Sequence, residues 1–257
     1  MVSLKRKNIL ILGGLGTIGK ILTHGLSSNK YNLIISDKYE NNNETKNYLK
    51  IDVTHYNELF KRIPKNIDVI INLTALPEQD KIVNNKTMNN MVNLYIKGVY
   101  NVFLVATNLG INKVIYASSN HVTDYYETEG KSLLVRKIKT TDYPLSKSLY
   151  GCLKLCGENI GFVFYINCNL SVICLRIGTV RNQEYTDLLK NKRFKKTFLS
   201  KSDTIDLFDK SISSNMKFGI YYGASNNPGV PWSIKKTIDE LMYKPKHNSM
   251  DILREKK

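Results

Sequence analysis

Residues Gly13-Gly14-Leu15-Gly16-Thr17-Ile18-Gly19 follow the apolar run Asn8–Leu12 and lead into a helical pattern over Ile18–Leu26. Few local sequences restrict a chain this strongly. A strand that turns through glycines into a helix belongs to the first βαβ unit of a parallel sheet, and each glycine has a task. Gly13 allows the tight turn, Gly16 lets a ligand approach the backbone, and Gly19 lets the helix pack closely on the sheet. The helix N-terminus then aims free N–H groups at phosphate. The shape predicts a dinucleotide pyrophosphate, met by the turn and by Thr17 and Ile18 at the helix start. Asp37 closes the next strand pattern, 18 residues beyond Gly19. A carboxylate there binds ribose hydroxyls and repels a 2′-phosphate, so NAD is expected rather than NADP.

The remaining chain continues the alternation. Strand patterns at Leu33–Ser36, Tyr48–Ile51, Val69–Leu73, Val114–Ala117, Leu170–Ile177 and Gly219–Tyr222 are separated by helical patterns. The helical patterns are Tyr56–Ile63, Met88–Leu109 (closed by Gly110), Leu145–Tyr165, Thr204–Ser213 and Ile234–Met242. This order predicts an α/β fold: a Rossmann-like doubly wound parallel sheet with a small C-terminal substrate lobe. A length of 257 residues suffices for that core. The expected division is a cofactor domain over 1–178 and a substrate lobe over 179–257, interleaved with the first domain. Glu40–Lys46 is a polar loop, Glu184–Ser202 is polar and basic without clear periodicity, and Asn227-Pro228-Gly229 signals a turn. The Lys/Asn-rich tail is expected to fray.

The net charge of +16 raises nucleic acid and acidic lipid as partners. The basic residues are dispersed, however, and the densest cluster, Lys190-Asn191-Lys192-Arg193-Phe194-Lys195-Lys196, lacks a nucleic-acid-binding motif. Solvated faces from a Lys/Asn-rich composition explain the charge, and a field that attracts an anionic small molecule is the sharper reading. No apolar run reaches the ~18 residues of a membrane span, and the N-terminus lacks a signal-peptide pattern. A cytoplasmic protein with reduced thiols is expected. The four cysteines form no CxxC pair, and Cys152 and Cys156 have no further ligands at metal spacing, so packing is expected of them and no metal.

Tyr150 and Lys154 stand four residues apart, on one face of the second long helix. A phenol with a pKa of about 10 is a poor base at neutral pH, and a neighbouring ammonium favours its phenolate. Ala117-Ser118-Ser119-Asn120-His121 follows the fifth strand and puts hydroxyls at the carboxyl end of the sheet, where such folds bind ligands. Together with the glycine turn, these groups suit hydride transfer to or from a nicotinamide.

With Asp52-Val53, Leu73-Thr74-Ala75 and Tyr150-x-x-x-Lys154 added, the chain resembles the extended short-chain dehydrogenase/reductase family, which includes NAD-dependent epimerases and dehydratases, over nearly its whole length. Ala117–Val122, Tyr150-Gly151, Gly157-Glu158-Asn159, Leu175-Arg176-Ile177-Gly178 and Tyr222–Asn226 are similar to the uronate dehydrogenase branch and to archaeal NAD-dependent glucose-6-phosphate dehydrogenases. The resemblance implies an oxidoreductase that oxidises C1 of an anionic sugar to a lactone. By the same resemblance, Tyr150 takes the anomeric proton, Ser119 bonds the same oxygen, and Lys154 tunes Tyr150 and holds ribose. Asn120, His121, Thr179 and Arg193 contact the sugar, with Arg193 on its carboxylate. Asp52, Val53, Leu73, Thr74, Ala75 and Ile177 complete the NAD site.

The chain departs from the family at four places: Leu153 for a usual Ser, Tyr95 for a usual Asn, Asn72 for a usual His, and Leu76-Pro77-Glu78 for small polar residues. A nucleotide-sugar epimerase or dehydratase, and an NAD-binding regulator without turnover, are the alternative readings. The two long helices are compatible with a homodimer or higher homo-oligomer. No specific nucleic acid or membrane partner is expected.

Overall fold

The structure, a computed structural model, describes residues 5–41, 47–76 and 84–254. Residues 42–46 of the polar loop, and Pro77 and Glu78, lie outside the described residues. The first half runs β1 (Lys7–Leu12), α1 (Thr17–Gly25), β2 (Tyr31–Asp37), β3 (Tyr48–Lys50), α2 (Tyr56–Arg62), β4 (Val69–Asn72) and α3 (Asn85–Val92). A π-helical turn (Asn93–Gly98) then leads into α4 (Val99–Asn108) and β5 (Lys113–Ser119). After a 3₁₀ stretch (Asn120–Tyr126) come β6 (Glu127–Thr128), β7 (Lys131–Ser132), α5 (Leu149–Cys168), β8 (Ser171–Ile177), α6 (Glu184–Lys190) and α7 (Phe194–Thr197). The chain ends with α8 (Lys201–Ser213), β9 (Phe218–Gly223), α9 (Lys235–Leu241) and α10 (Ser249–Arg254).

Seven strands form one sheet in the order β3-β2-β1-β4-β5-β8-β9, with β1 parallel to both β2 and β4, and β4 parallel to β5. Helices flank it, and the fold is Rossmann-like. The middles of the central strands are apolar because both faces are covered. Ile9, Leu10, Ile11, Ile70, Ile71, Val114, Ile115, Val172 and Ile173 are all fully buried. The strand order reverses between β1 and β4, and ligands of such sheets bind at the carboxyl ends flanking that reversal.

The chain forms two compact units. The first comprises residues 1–117, 156–174 and 217–219, and the second comprises 118–155, 175–216 and 220–257. In the second, Ile138, Tyr222, Ala224, Val230, Trp232 and Ile234 make an apolar cluster with Tyr222 stacked on Trp232 at 5.9 Å.

Four expectations need correction. The helix pattern Met88–Leu109 is divided by the π turn, in which Gly98 sits so close to Val53 that a Cβ would come within 2.9 Å of its Cγ2. The helix expected from Leu145 starts at Leu149, because Ser148 Oγ accepts the Gly151 N–H at 3.2 Å and caps it. The basic stretch 184–202 holds two short helices, α6 and α7. The tail, expected to fray, carries the helix α10 (Ser249–Arg254). The buried Asp203 carboxylate accepts the Lys246 and His247 N–H groups, and Asn227 Oδ1 accepts that of Ser249, which pins the chain ahead of α10.

Among the described residues, no helix is long and apolar enough to cross a membrane. None of the four cysteines is in a disulfide, and Cys152 and Cys168 are exposed rather than packed.

Candidate active site

The first unit carries the glycine turn. Gly13 has a φ of +78°, and a Cβ there would lie 2.9 Å from the Leu73 carbonyl carbon, so glycine satisfies both the left-handed backbone and the close approach of the β4 end. Gly14 N–H donates to the Ser36 carbonyl at 2.9 Å, which ties the turn to the end of β2. Gly16 precedes α1 as its cap residue, so Thr17, Ile18 and Gly19 present first-turn N–H groups. Asp37 Oδ2 accepts the Leu15 N–H at 3.2 Å, and its Oδ1 accepts the Lys38 N–H at 2.8 Å. The carboxylate is thereby held against the turn with lone pairs to spare for two ribose hydroxyls.

Asp52, Val53, Leu73, Thr74 and Ala75, also expected around the cofactor, lie in the same unit. Asp52 Oδ1 accepts both the amide and the hydroxyl of Thr54, at 2.9 and 2.8 Å. The Val53 carbonyl accepts a bond from buried Asn101 Nδ2 at 2.9 Å. Leu73 N–H donates to Leu12, and Asn72 Oδ1 accepts from the Thr74 amide at 3.1 Å and hydroxyl at 2.7 Å. Ala75 is exposed. Asn72, at the position where the resemblance expects histidine, thus serves as the clamp for the β4 loop. Tyr95, at the position of the expected asparagine, is buried, and its hydroxyl accepts the Leu76 N–H at 3.0 Å. No sequence signal pointed to that bond, which joins the π turn to the same loop.

The second unit gathers Ser119, Asn120, His121, Tyr150 and Lys154. Ser119 Oγ accepts the His121 N–H at 3.2 Å and donates to Asn120 Oδ1 at 3.4 Å. The imidazole of His121 meets the Tyr150 ring edge-on, with centroids 5.9 Å apart. Lys154, which is buried, places Nζ 5.8 Å from the centroid of the same ring. A Cβ at Gly151 would collide with Ser146 Oγ and the His121 carbonyl, so a glycine after Tyr150 lets the start of α5 reach the His121 loop. Leu153, at the expected serine position, is buried core.

Charged groups join this cluster to Thr179 and Arg193, and the sequence pattern did not show how they pair. His121 Nδ1 lies 2.9 Å from Asp124 Oδ2, an i, i+3 pair whose spacing was the available signal. Asp124 Oδ1 accepts the Lys147 N–H at 2.6 Å, and Lys147 Nζ donates to the Glu127 carbonyl at 2.7 Å. Glu127 in turn binds Arg193, with Nη2–Oε2 at 2.8 Å and Nε at 3.0 and 3.2 Å from the two carboxylate oxygens. Arg193 therefore meets a carboxylate of the chain itself. Thr179 Oγ1 bonds Thr197 Oγ1 at 2.8 Å, and the Thr197 N–H donates to the Arg193 carbonyl. Ile177 is buried at the end of β8. Among the described residues, no three His, Cys, Asp or Glu side chains lie together as metal ligands.

The uncharacterized protein YtbQ of Bacillus subtilis is 44% identical over 249 residues, covering 97% of this chain and 98% of its own. The NAD-dependent glucose-6-phosphate dehydrogenase of Haloferax volcanii is 27% identical over 191 residues, 72% of this chain and 70% of its own. Among solved structures, a mutant uronate dehydrogenase from Agrobacterium tumefaciens, complexed with NAD, superposes with a TM-score of 0.82 at 20% identity, over 98% of this chain and 89% of its own. That likeness shows the fold. The glycine turn, whose cradle a Cβ at position 13 would fill, and the anchored Asp37 fit NAD, which is the cofactor. Matched over residues 9–200, the chain belongs to the NAD dependent epimerase/dehydratase family.

Proposed function

We propose that this chain is an NAD-dependent sugar dehydrogenase that oxidises C1 of an anionic aldose, a uronate or a hexose phosphate, to its lactone. The observation that carries the reading is the Tyr150 ring lying against both Lys154 and His121, whose backbone N–H in turn donates to the Ser119 hydroxyl. NAD, when bound, supplies the hydride acceptor. Tyr150, as phenolate, takes the proton from the anomeric hydroxyl while the C1–H bond breaks and its electron pair leaves as hydride. The C1–O single bond becomes the lactone carbonyl. Ser119 Oγ donates to the same oxygen, and the buried Lys154 ammonium favours the phenolate and bonds the nicotinamide ribose. Asn120, His121, Thr179 and Arg193 orient the sugar. Asp37 holds the adenosine ribose, α1 meets the pyrophosphate, and Asp52, Val53, Leu73, Thr74, Ala75 and Ile177 frame the cofactor.

The assembly belongs to the same reading. Phe162, Val163 and Ile166 on α5 are 45%, 55% and 59% exposed, and Tyr100 on α4 is 46% exposed. A second copy covers this apolar face in a homodimer.

The test follows the absorbance of reduced nicotinamide with NAD or NADP and a panel of uronates, hexose phosphates and neutral aldoses. Reduction of NAD by an anionic sugar is expected. Tight NAD binding with no turnover on any of them would replace this reading with an epimerase or a regulator.

A further inference from the structure

The 3₁₀ stretch after β5 kinks at Thr123, with φ −128° and ψ 22°, and its two parts bring together the side chains of His121 and Asp124. Asp124 is built in. Its side chain is 10% exposed, and both oxygens are engaged: Oδ1 with the Lys147 N–H at 2.6 Å and Oδ2 with His121 Nδ1 at 2.9 Å. The Lys147 ammonium takes no part in this pair, because Nζ donates to the main-chain carbonyl of Glu127. Among the described residues, no lysine or arginine forms an ion pair with Asp124. A buried carboxylate depends on the donors aimed at it, and here the side-chain donor is the imidazole.

That dependence decides where the imidazole carries its hydrogen. An ionised carboxylate accepts and does not donate, so Nδ1 is the N–H of the ring. In a neutral imidazole the other nitrogen then holds a lone pair and accepts. The His121 side chain is 40% exposed and makes no other hydrogen bond among the described residues, so Nε2 is the nitrogen left for a ligand. Tyr150 fixes the ring a second time, with 5.9 Å between centroids and 71° between planes, and Ser119 Oγ holds the His121 backbone N–H. A nitrogen that accepts pairs with a hydroxyl, and not with a carboxylate or phosphate oxygen that accepts as well.

We propose that Asp124 is a positioning residue of the sugar site: it locks His121 in the Nδ1–H form, so that Nε2 accepts a hydrogen bond from a hydroxyl of the sugar and turns away the sugar's acid group. This rests on the dehydrogenase reading above. An amide in place of the carboxylate inverts the arrangement, because the partner of an imidazole sets its tautomer. In Asp124→Asn the Lys147 N–H keeps the amide oxygen on its own side. The amide NH2 then faces Nδ1 and donates to it. His121 carries its hydrogen on Nε2 instead, and the hydroxyl loses its acceptor.

The experiment has two readouts. NMR of the ring nitrogens in isotope-labelled protein, in alkaline buffer where an imidazole is neutral, shows which nitrogen of His121 bears hydrogen, with His121→Phe identifying its signals. Wild-type protein is expected to carry hydrogen on Nδ1 and none on Nε2, and Asp124→Asn to show the reverse. A residue that only fills space would not move the hydrogen from one nitrogen to the other. Steady-state assays with the anionic sugar turned over fastest should show its KM raised about tenfold in Asp124→Asn and in His121→Phe, with kcat changed less and KM for NAD unchanged. Hydrogen on Nε2 in the wild type overturns the proposal, as does an unchanged KM for the sugar in either variant. The wild-type spectrum and His121→Phe decide the matter even if Asp124→Asn fails to fold. Failure of the dehydrogenase reading shows separately, as the expected spectra without NAD reduction by any sugar; the sugar contact then falls with that reading while the pairing of Asp124 with His121 stands.

Discussion

A phenol serves as a base near neutral pH only where its surroundings prefer the anion, and Tyr150 has the Lys154 ammonium 5.8 Å from its ring centroid. Tyr150→Phe keeps the ring against His121 and removes only the hydroxyl proposed to take the proton. We expect kcat to fall by about a hundredfold or more, with NADH binding by fluorescence retained; turnover near the wild-type rate would remove Tyr150 from the mechanism. Lys113 is a different kind of lysine. Burial, with Lys7 and Lys217 adding repulsion, brings its ammonium down to about 8. In the unfolded chain it titrates near 10.4. Between those values the unfolded state binds more protons, so this group makes stability rise with pH across that window and weakens the fold below it. Lys113→Met should therefore raise the melting temperature at pH 7, with the gain shrinking as pH passes from about 8 toward 10.4. A gain that stays constant with pH would contradict this account.

At the scale of elements, the informative feature is the π turn between α3 and α4. A single wide turn inside a helix costs hydrogen-bond geometry and occurs mostly where a site needs it. Here it carries Tyr95, whose hydroxyl holds the Leu76 amide after the β4 strand. Tyr95→Phe leaves that buried-side N–H without its acceptor. Unfolding by denaturant should show a loss of about 1 kcal/mol, and KM for NAD should rise as the Leu73-Thr74-Ala75 loop loosens. An unchanged KM for NAD would confine Tyr95 to packing. The α5 helix makes a related point. Its apolar pattern extends back to Leu145, and the boundary is set by the Ser148 cap, a local signal that hydrophobic periodicity does not register. The β6–β7 hairpin was illegible for another reason: two-residue strands are too short to show alternation.

At the scale of the whole molecule, the exposed apolar face of α5 bears on assembly. Ile166→Glu places a charge in the middle of the surface assigned to a second copy. Sedimentation should show wild-type protein as a dimer and the variant as a folded monomer; a wild-type monomer would leave that face without its partner. The sequence alone determined the parallel sheet, since strands covered on both faces become unbroken apolar runs such as Ile9–Leu12 and Val172–Leu175. It also determined the glycine turn, the Asp37 anchor and the Tyr150/Lys154 pair, because each depends on spacing along one or two consecutive elements. Tertiary structure alone decided what Arg193 and Tyr95 touch. Glu127 lies 66 residues from Arg193, and Leu76 lies 19 from Tyr95, and no periodicity links positions that meet only after folding. The electrostatic surroundings of a side chain are set by such pairings, because the Coulomb energy between two groups depends on their separation in space and on the solvent excluded around them, neither of which is written in the order of the residues.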